Sequence, residues 1–177
     1  MAGIPARNTD KTAENCFMKI ELKNIKHSPS LSEETACYSA SLYVDGKKIG
    51  VVSNQGHGGP DMFQGDRSKY EEANNWVKAN MPPLDTPYSD EPLEMDIELL
   101  CGELFDDWVA AKKLRTIMRS RVLIIKPGQK EIVELRFKGI RKIHDAHIAV
   151  TRKKYPDATV LNTLPFEEAL KLCRKYT

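Results

Sequence analysis

Asp45-Gly46 sits between "CYSASLYV" and "KKIGVVSN", two stretches in which apolar and polar residues alternate. The pair favours a two-residue type I′ turn, because both central positions need a positive φ that Asp tolerates and Gly adopts freely. Such a turn pairs Val44 with Lys47, Leu42 with Ile49 and Ala40 with Val51, placing Leu42, Ile49, Ala40 and Val51 on one face. Turn chemistry and hydrophobic pattern agree, so this region is committed to an antiparallel sheet with one buried side.

The neighbouring segments extend that commitment. Met18, Ile20 and Leu22 alternate with Lys19, Glu21 and Lys23, which predicts a strand over residues 17–25. "SKYEEANNWVKAN" (68–80) predicts a helix capped by Ser68, with Glu71 three residues on and Tyr70, Ala73, Trp76 and Val77 sharing a face. The proline-rich "MPPLDTPYSDEP" is a connector. Beyond it Leu93, Ile97, Leu100, Leu104, Trp108, Ala111, Leu114 and Met118 recur every three or four residues, marking a long amphipathic helix capped by Ser89 or Asp90. Gly102 within that helix suggests close packing against another element.

"RVLIIKPGQKEIVELRFK" predicts a second hairpin, with strands at 122–125 and 132–137 around Pro127-Gly128. A helix from about Asp145 to Tyr155 ends at Pro156, "ATVLN" is a short strand, and "TLPFEEALKLCRKY" is a final helix with Thr163 as its cap. The expected organisation is a polar leader over 1–16 followed by a single α+β domain over 17–177. In it a mostly antiparallel sheet of five or six strands packs against the long helix and shorter C-terminal helices.

Composition narrows the function classes. With 177 residues, 41% apolar and 29% charged, the chain has the makeup of a globular protein rather than a disordered one. No apolar run is long enough to span a bilayer and "MAGIPARNTDKTAEN" has no signal-peptide core, so the expected location is the cytoplasm, with no membrane partner. Cys16, Cys37, Cys101 and Cys173 are widely separated and form no CxxC pair, so reduced thiols are expected rather than a disulfide framework or zinc site. GxSxG, GxGxxG and P-loop patterns do not occur, and neither a cofactor nor a metal is expected.

Charge is segregated along the chain. Asp90 to Asp107 holds eight acids and no Lys or Arg, whereas Lys112 to Lys154 holds fourteen Lys or Arg and only Glu131, Glu134 and Asp145 as acids. Over 90–119 this can simply complement a helix macrodipole, with acids at the start and bases at the end. Further on, Arg136, Lys138, Arg141, Lys142, Arg152 and Lys153, with Lys154, could follow phosphates, while Phe137, Tyr155 and Trp76 could stack on bases.

The other candidate is "SNQGHGGPD". Gly56, Gly58 and Gly59 can expose N–H groups to an anion, and His57 among them could act as a base with Asn54 or Asp61 orienting its ring. A tight exit from the sheet, with His57 exposed, uses the same residues. His144 and His147, at i and i+3, could share a metal with a third ligand such as Asp145 or His57, or His147 could pack at the edge of the apolar face beside Ile143 and Val150.

"VVSNQGHGG", "LEMDIELLCGELFDDWVAAKKLR" and "KKYPDATVLNTLPFEEAL" resemble a set of short hypothetical proteins of proteobacteria, their phages and their plasmids, over roughly residues 18–173. The shared order is N-x-G-H-G-G, then L-E with a later C-G-x-L, then Y-P-D-A-x-x-L-N-x-x-P. That resemblance implies an accessory gene product of mobile elements, soluble and intracellular, and it implies no residue roles. Its matching positions include Asn54, Gly56, His57, Gly58, Gly59 and Asn162. Two functions follow as expectations. One is an accessory binding or inhibitory protein, a counter-defence factor that captures a nucleotide, nucleic acid or host protein. The alternative is a small phosphate-handling hydrolase or nuclease that uses His57 in the glycine-rich loop. Whether the chain is an enzyme stays open at this point.

Overall fold

In the computed structural model, which describes residues 17–85 and 91–176, the alternating N-terminal segments form a four-stranded antiparallel sheet. Its order is β1 (Ile20–His27), β2 (Tyr38–Val44), β3 (Lys47–Asn54) and β4 (Met62–Gly65). The expected leader over 1–16 and the expected caps Ser89 and Asp90 lie outside the described residues.

The β2–β3 turn has positive φ at both central residues, +48° at Asp45 and +77° at Gly46, as a type I′ turn requires. Val44 pairs with Lys47 as expected, but Leu42 pairs with Gly50 and Ala40 with Val52, not with Ile49 and Val51. A bulge at Ile49 shifts the register by one. Next to the bulge, Gly50 faces Phe63 on β4, whose ring lies so close that a Cβ at Gly50 would meet it at 2.4 Å. Val52, 2% exposed, therefore takes the buried place expected for Val51.

Helix α1 (Arg67–Asn80) is capped by Asp66, whose carboxylate accepts from the Lys69 N–H at 3.1 Å. Ser68, the expected cap, is already inside the helix. Ala73 and Val77 are fully buried on its inner face. Helix α2 (Ile97–Ser120) starts later than the periodicity suggests, because Asp96 caps it through the Leu99 N–H at 2.8 Å. Leu93 instead pairs with Leu84 in an isolated antiparallel bridge. A Cβ on Gly102 would meet nothing within 4 Å, so the expected close packing there is absent.

A second, separate sheet has three antiparallel strands in the order β6 (Val133–Leu135), β5 (Val122–Ile125), β7 (Thr159–Val160). The single sheet of five or six strands is thus corrected to two sheets of four and three. Both hydrogen-bonding edges of β5 are occupied, by β6 and β7, so this strand has none left to extend the first sheet. Helices α3 (Asp145–Lys154) and α4 (Phe166–Tyr176) complete an α+β architecture. α3 runs much as the sequence predicts, and Thr163 donates to the Val160 carbonyl rather than capping α4.

The chain groups into two compact units, Met1–Leu104 and Phe105–Thr177. In the first, Val77, Met95 and Leu100 centre a cluster joined by Ile20, Trp76 and Leu84. In the second, β5 is buried on both faces. Leu123 packs with Ala111, Leu114, Leu161, Ala169 and Leu170, whereas Val122 and Ile124 pack with Val160 and, among others, Ile148 and Tyr155.

Asn162 staples the second unit. Its Oδ1 accepts from the Leu123 N–H at 2.8 Å, and its Nδ2 donates to the Met118 and Arg121 carbonyls at 3.0 and 2.9 Å. It satisfies carbonyls at the C-terminal end of α2 that the helix itself leaves unpaired. Asn162→Ala is expected to cost about 2–4 kcal/mol, since partly buried partners lose three hydrogen bonds at once. Urea denaturation measures it; a loss under about 0.5 kcal/mol contradicts the stapling role.

Candidate functional site

The glycine-rich stretch leaves β3 and folds back on the loop before β2. Asn54, at the end of β3, organises it with all its amide groups engaged. Its Oδ1 accepts from the Thr35 hydroxyl at 2.7 Å and the Gly56 N–H at 2.9 Å, while its Nδ2 donates to the Gly59 carbonyl at 2.9 Å and Asp61 Oδ1 at 3.0 Å. The Gly56 carbonyl collects three successive N–H groups, from Glu33 and Glu34 at 3.0 Å and Thr35 at 3.4 Å. Gly58 donates to the Thr35 hydroxyl at 3.2 Å.

Two of the N–H groups that a phosphate would use, those of Gly56 and Gly58, therefore already face acceptors of the protein. The electrostatics run against an anion as well. Tyr38 donates to Asp61 through its hydroxyl, and the Asp61 N–H donates to Glu98 at 2.8 Å. Burial, and then the Asp61 hydrogen bond and charge, hold the Tyr38 hydroxyl far above the usual tyrosine range. Burial pushes the Cys101 thiol up to about 12, with Asp61, Glu98 and Asp96 adding to the effect. Tyr70 is raised to about 12, first by burial and then by the field of Cys101 and the same carboxylates. Cys101 is held as an unreactive thiol.

His57 projects from this loop at the surface. Its Nδ1 lies 3.2 Å from Glu33 Oε2, with the two side chains 61% and 71% exposed. Neither of the ring-orienting residues expected from the sequence does that work. Asp61 is held by Tyr38 and Asn54, and Asn54 by the loop backbone. Glu33 lies 24 positions away, and no spacing in the sequence points to it.

The second candidate is the set of basic residues of the second unit. Arg136 follows β6, Lys138, Arg141 and Lys142 lie in the segment before α3, and Arg152 and Lys153 occupy its last turn. All six are exposed, and among the described residues none is in an ion pair. By contrast Arg121 and Arg174 of the same unit are neutralised by Glu134 and Asp107. Tyr155, half-buried at the C-terminal cap of α3, has Lys126 Nζ and Lys154 Nζ 5.8 and 5.5 Å from its ring centroid. Phe137 packs edge-on against His147 at 4.9 Å. Trp76 belongs to α1, where it meets Phe17.

His147 accepts from the His144 N–H through Nδ1 at 3.1 Å, which commits that lone pair to the start of α3. It sits near Phe137, while Val150, expected beside it on the apolar face, is 59% exposed. Among the described residues, no three His, Cys, Asp or Glu side chains converge to hold a metal, and no helix is long and apolar enough to cross a membrane. Compared with protein-family models, with curated proteins and with solved structures, the chain matches none.

Proposed function

We propose that the protein is an accessory binding protein that captures nucleic acid through the basic surface of its second unit. The observation that carries this reading is the set of six exposed cations at Arg136, Lys138, Arg141, Lys142, Arg152 and Lys153, unpaired among the described residues, with two further lysines near the Tyr155 ring. Unpaired cations bind a polyphosphate by releasing its condensed counterions, a gain that paired cations have already given up. The resemblance of "VVSNQGHGG" and the two later stretches to proteins of mobile elements supports an accessory role, in which capture would blunt a host defence. Gel shifts with DNA and RNA, beside melting-temperature shifts with mononucleotides and cyclic oligonucleotides, test it. Retarded polynucleotide is expected; no retardation of either polymer overturns it.

The alternative, a small phosphate-handling hydrolase, draws on one observation, the Glu33 carboxylate 3.2 Å from His57 Nδ1. A carboxylate can orient an imidazole as a general base. An exposed pair of this kind contributes less than about 1 kcal/mol to stability. His57→Ala is therefore expected to melt like the wild type and to keep its affinity for nucleic acid. The hydrolase reading instead requires that His57→Ala abolish turnover of p-nitrophenyl phosphate or an oligonucleotide by the wild-type chain; if the wild type turns over neither, that reading falls.

A further inference from the structure

Tyr155 and Lys154 line two recesses of the second unit. One, of about 350 Å³, is lined by Lys126, Pro127, Gln129 and Asp157 together with Lys154 and Tyr155. The other, of about 270 Å³, is lined by Arg136, Phe137, Val150 and Thr151 together with the same Lys154 and Tyr155. Glu134, which also borders the second, is already neutralised by Arg121. The Tyr155 backbone is well fixed, because its N–H donates to the Thr151 carbonyl at 2.8 Å and Pro156 follows it.

Resting on the polyanion reading above, we infer that this surface takes single-stranded rather than duplex nucleic acid, with successive bases entering the two recesses that Tyr155 lines. Three features favour a single strand. Both recesses are lined by the same ring, and a base can reach a ring only when it is unpaired. Each recess combines a cation with apolar surface, Lys126 with Pro127 in one and Arg136 with Phe137 and the exposed Val150 in the other. A nucleotide needs that combination, a face for its base beside a charge for its phosphate. Lys154, shared by both recesses, stands where the phosphate linking the two bases would lie. A duplex would touch the surrounding cations through its backbone and leave the ring unused.

Fluorescence anisotropy with a labelled oligothymidylate and a duplex of equal length tests this on the full chain. Wild-type protein is expected to bind the single strand more tightly. Tyr155→Leu should weaken single-strand binding by about 5- to 100-fold with the salt dependence unchanged, whereas Tyr155→Phe retains it. If the duplex binds as tightly as the single strand, or Tyr155→Leu binds as the wild type does, the single-strand inference falls and the polyanion reading stands. If neither oligonucleotide binds, both fall together. Tyr155 also packs against the core, so a second measurement uses the wild-type chain alone. Photocrosslinking to a bromodeoxyuridine-substituted single strand should place the adduct on Tyr155 or Phe137, and adducts confined to other residues overturn the inference.

Discussion

Gly56→Ala is expected to destabilise the first unit by about 2–5 kcal/mol. Gly56 adopts φ +92°, where a Cβ is strained, and that Cβ would lie 2.1 Å from the Leu31 carbonyl oxygen and 3.0 Å from Cys37 Cβ. The obstacle is backbone, so no rotamer change relieves it. The loop would have to move, breaking the three N–H contacts to the Gly56 carbonyl and the Asn54 bond to its N–H. Gly59→Ala is the matched control, since a Cβ there meets nothing within 4 Å. Thermal denaturation of the two variants separates the cases. Equal melting temperatures would contradict the packing that the loop is built on.

The second large effect concerns binding. Reversing Arg136, Arg152 and Lys153 together to Glu should weaken polynucleotide binding on the order of 100-fold or more near physiological salt, because three phosphate contacts become three repulsions. These side chains are exposed and unpaired among the described residues, so the fold should be unaffected. Lys47→Glu with Lys48→Glu, on the exposed end of β3 in the first unit, changes net charge at residues outside this set and should leave affinity nearly intact. A similar loss from both sets would mean that net charge, not the surface, governs binding.

Local signals made part of this legible in the sequence. Asp45-Gly46 specified its turn because the two φ values depend on those two residues alone. The bulge at Ile49 was hidden because the turn residues fix only the first pair of the ladder, Val44 with Lys47, and alternation alone does not mark where the register shifts. Helix starts slipped where several residues could cap: Asp66 outcompeted Ser68, and Asp96 began α2 after Leu93 had paired with Leu84. The split into two sheets depended on β7 claiming the second edge of β5, a pairing over some 35 residues that alternation does not encode. At the glycine loop the residue types were visible, and their partners Glu33, Thr35, Tyr38 and Glu98 were not, since all four reach it from elsewhere in the chain. The exposure of the six basic residues was more readable, because long charged side chains on short elements stay in solvent.

Salt dependence of affinity tests the central claim most directly. Titrating the full chain into labelled single-stranded oligonucleotide at several salt concentrations should give a log–log slope of about −3 or steeper, as four or five phosphate contacts at ~0.7 each require. The Arg136, Arg152 and Lys153 reversal should flatten that slope. A slope near zero, or one that the reversal leaves unchanged, would contradict nucleic-acid capture by the second unit.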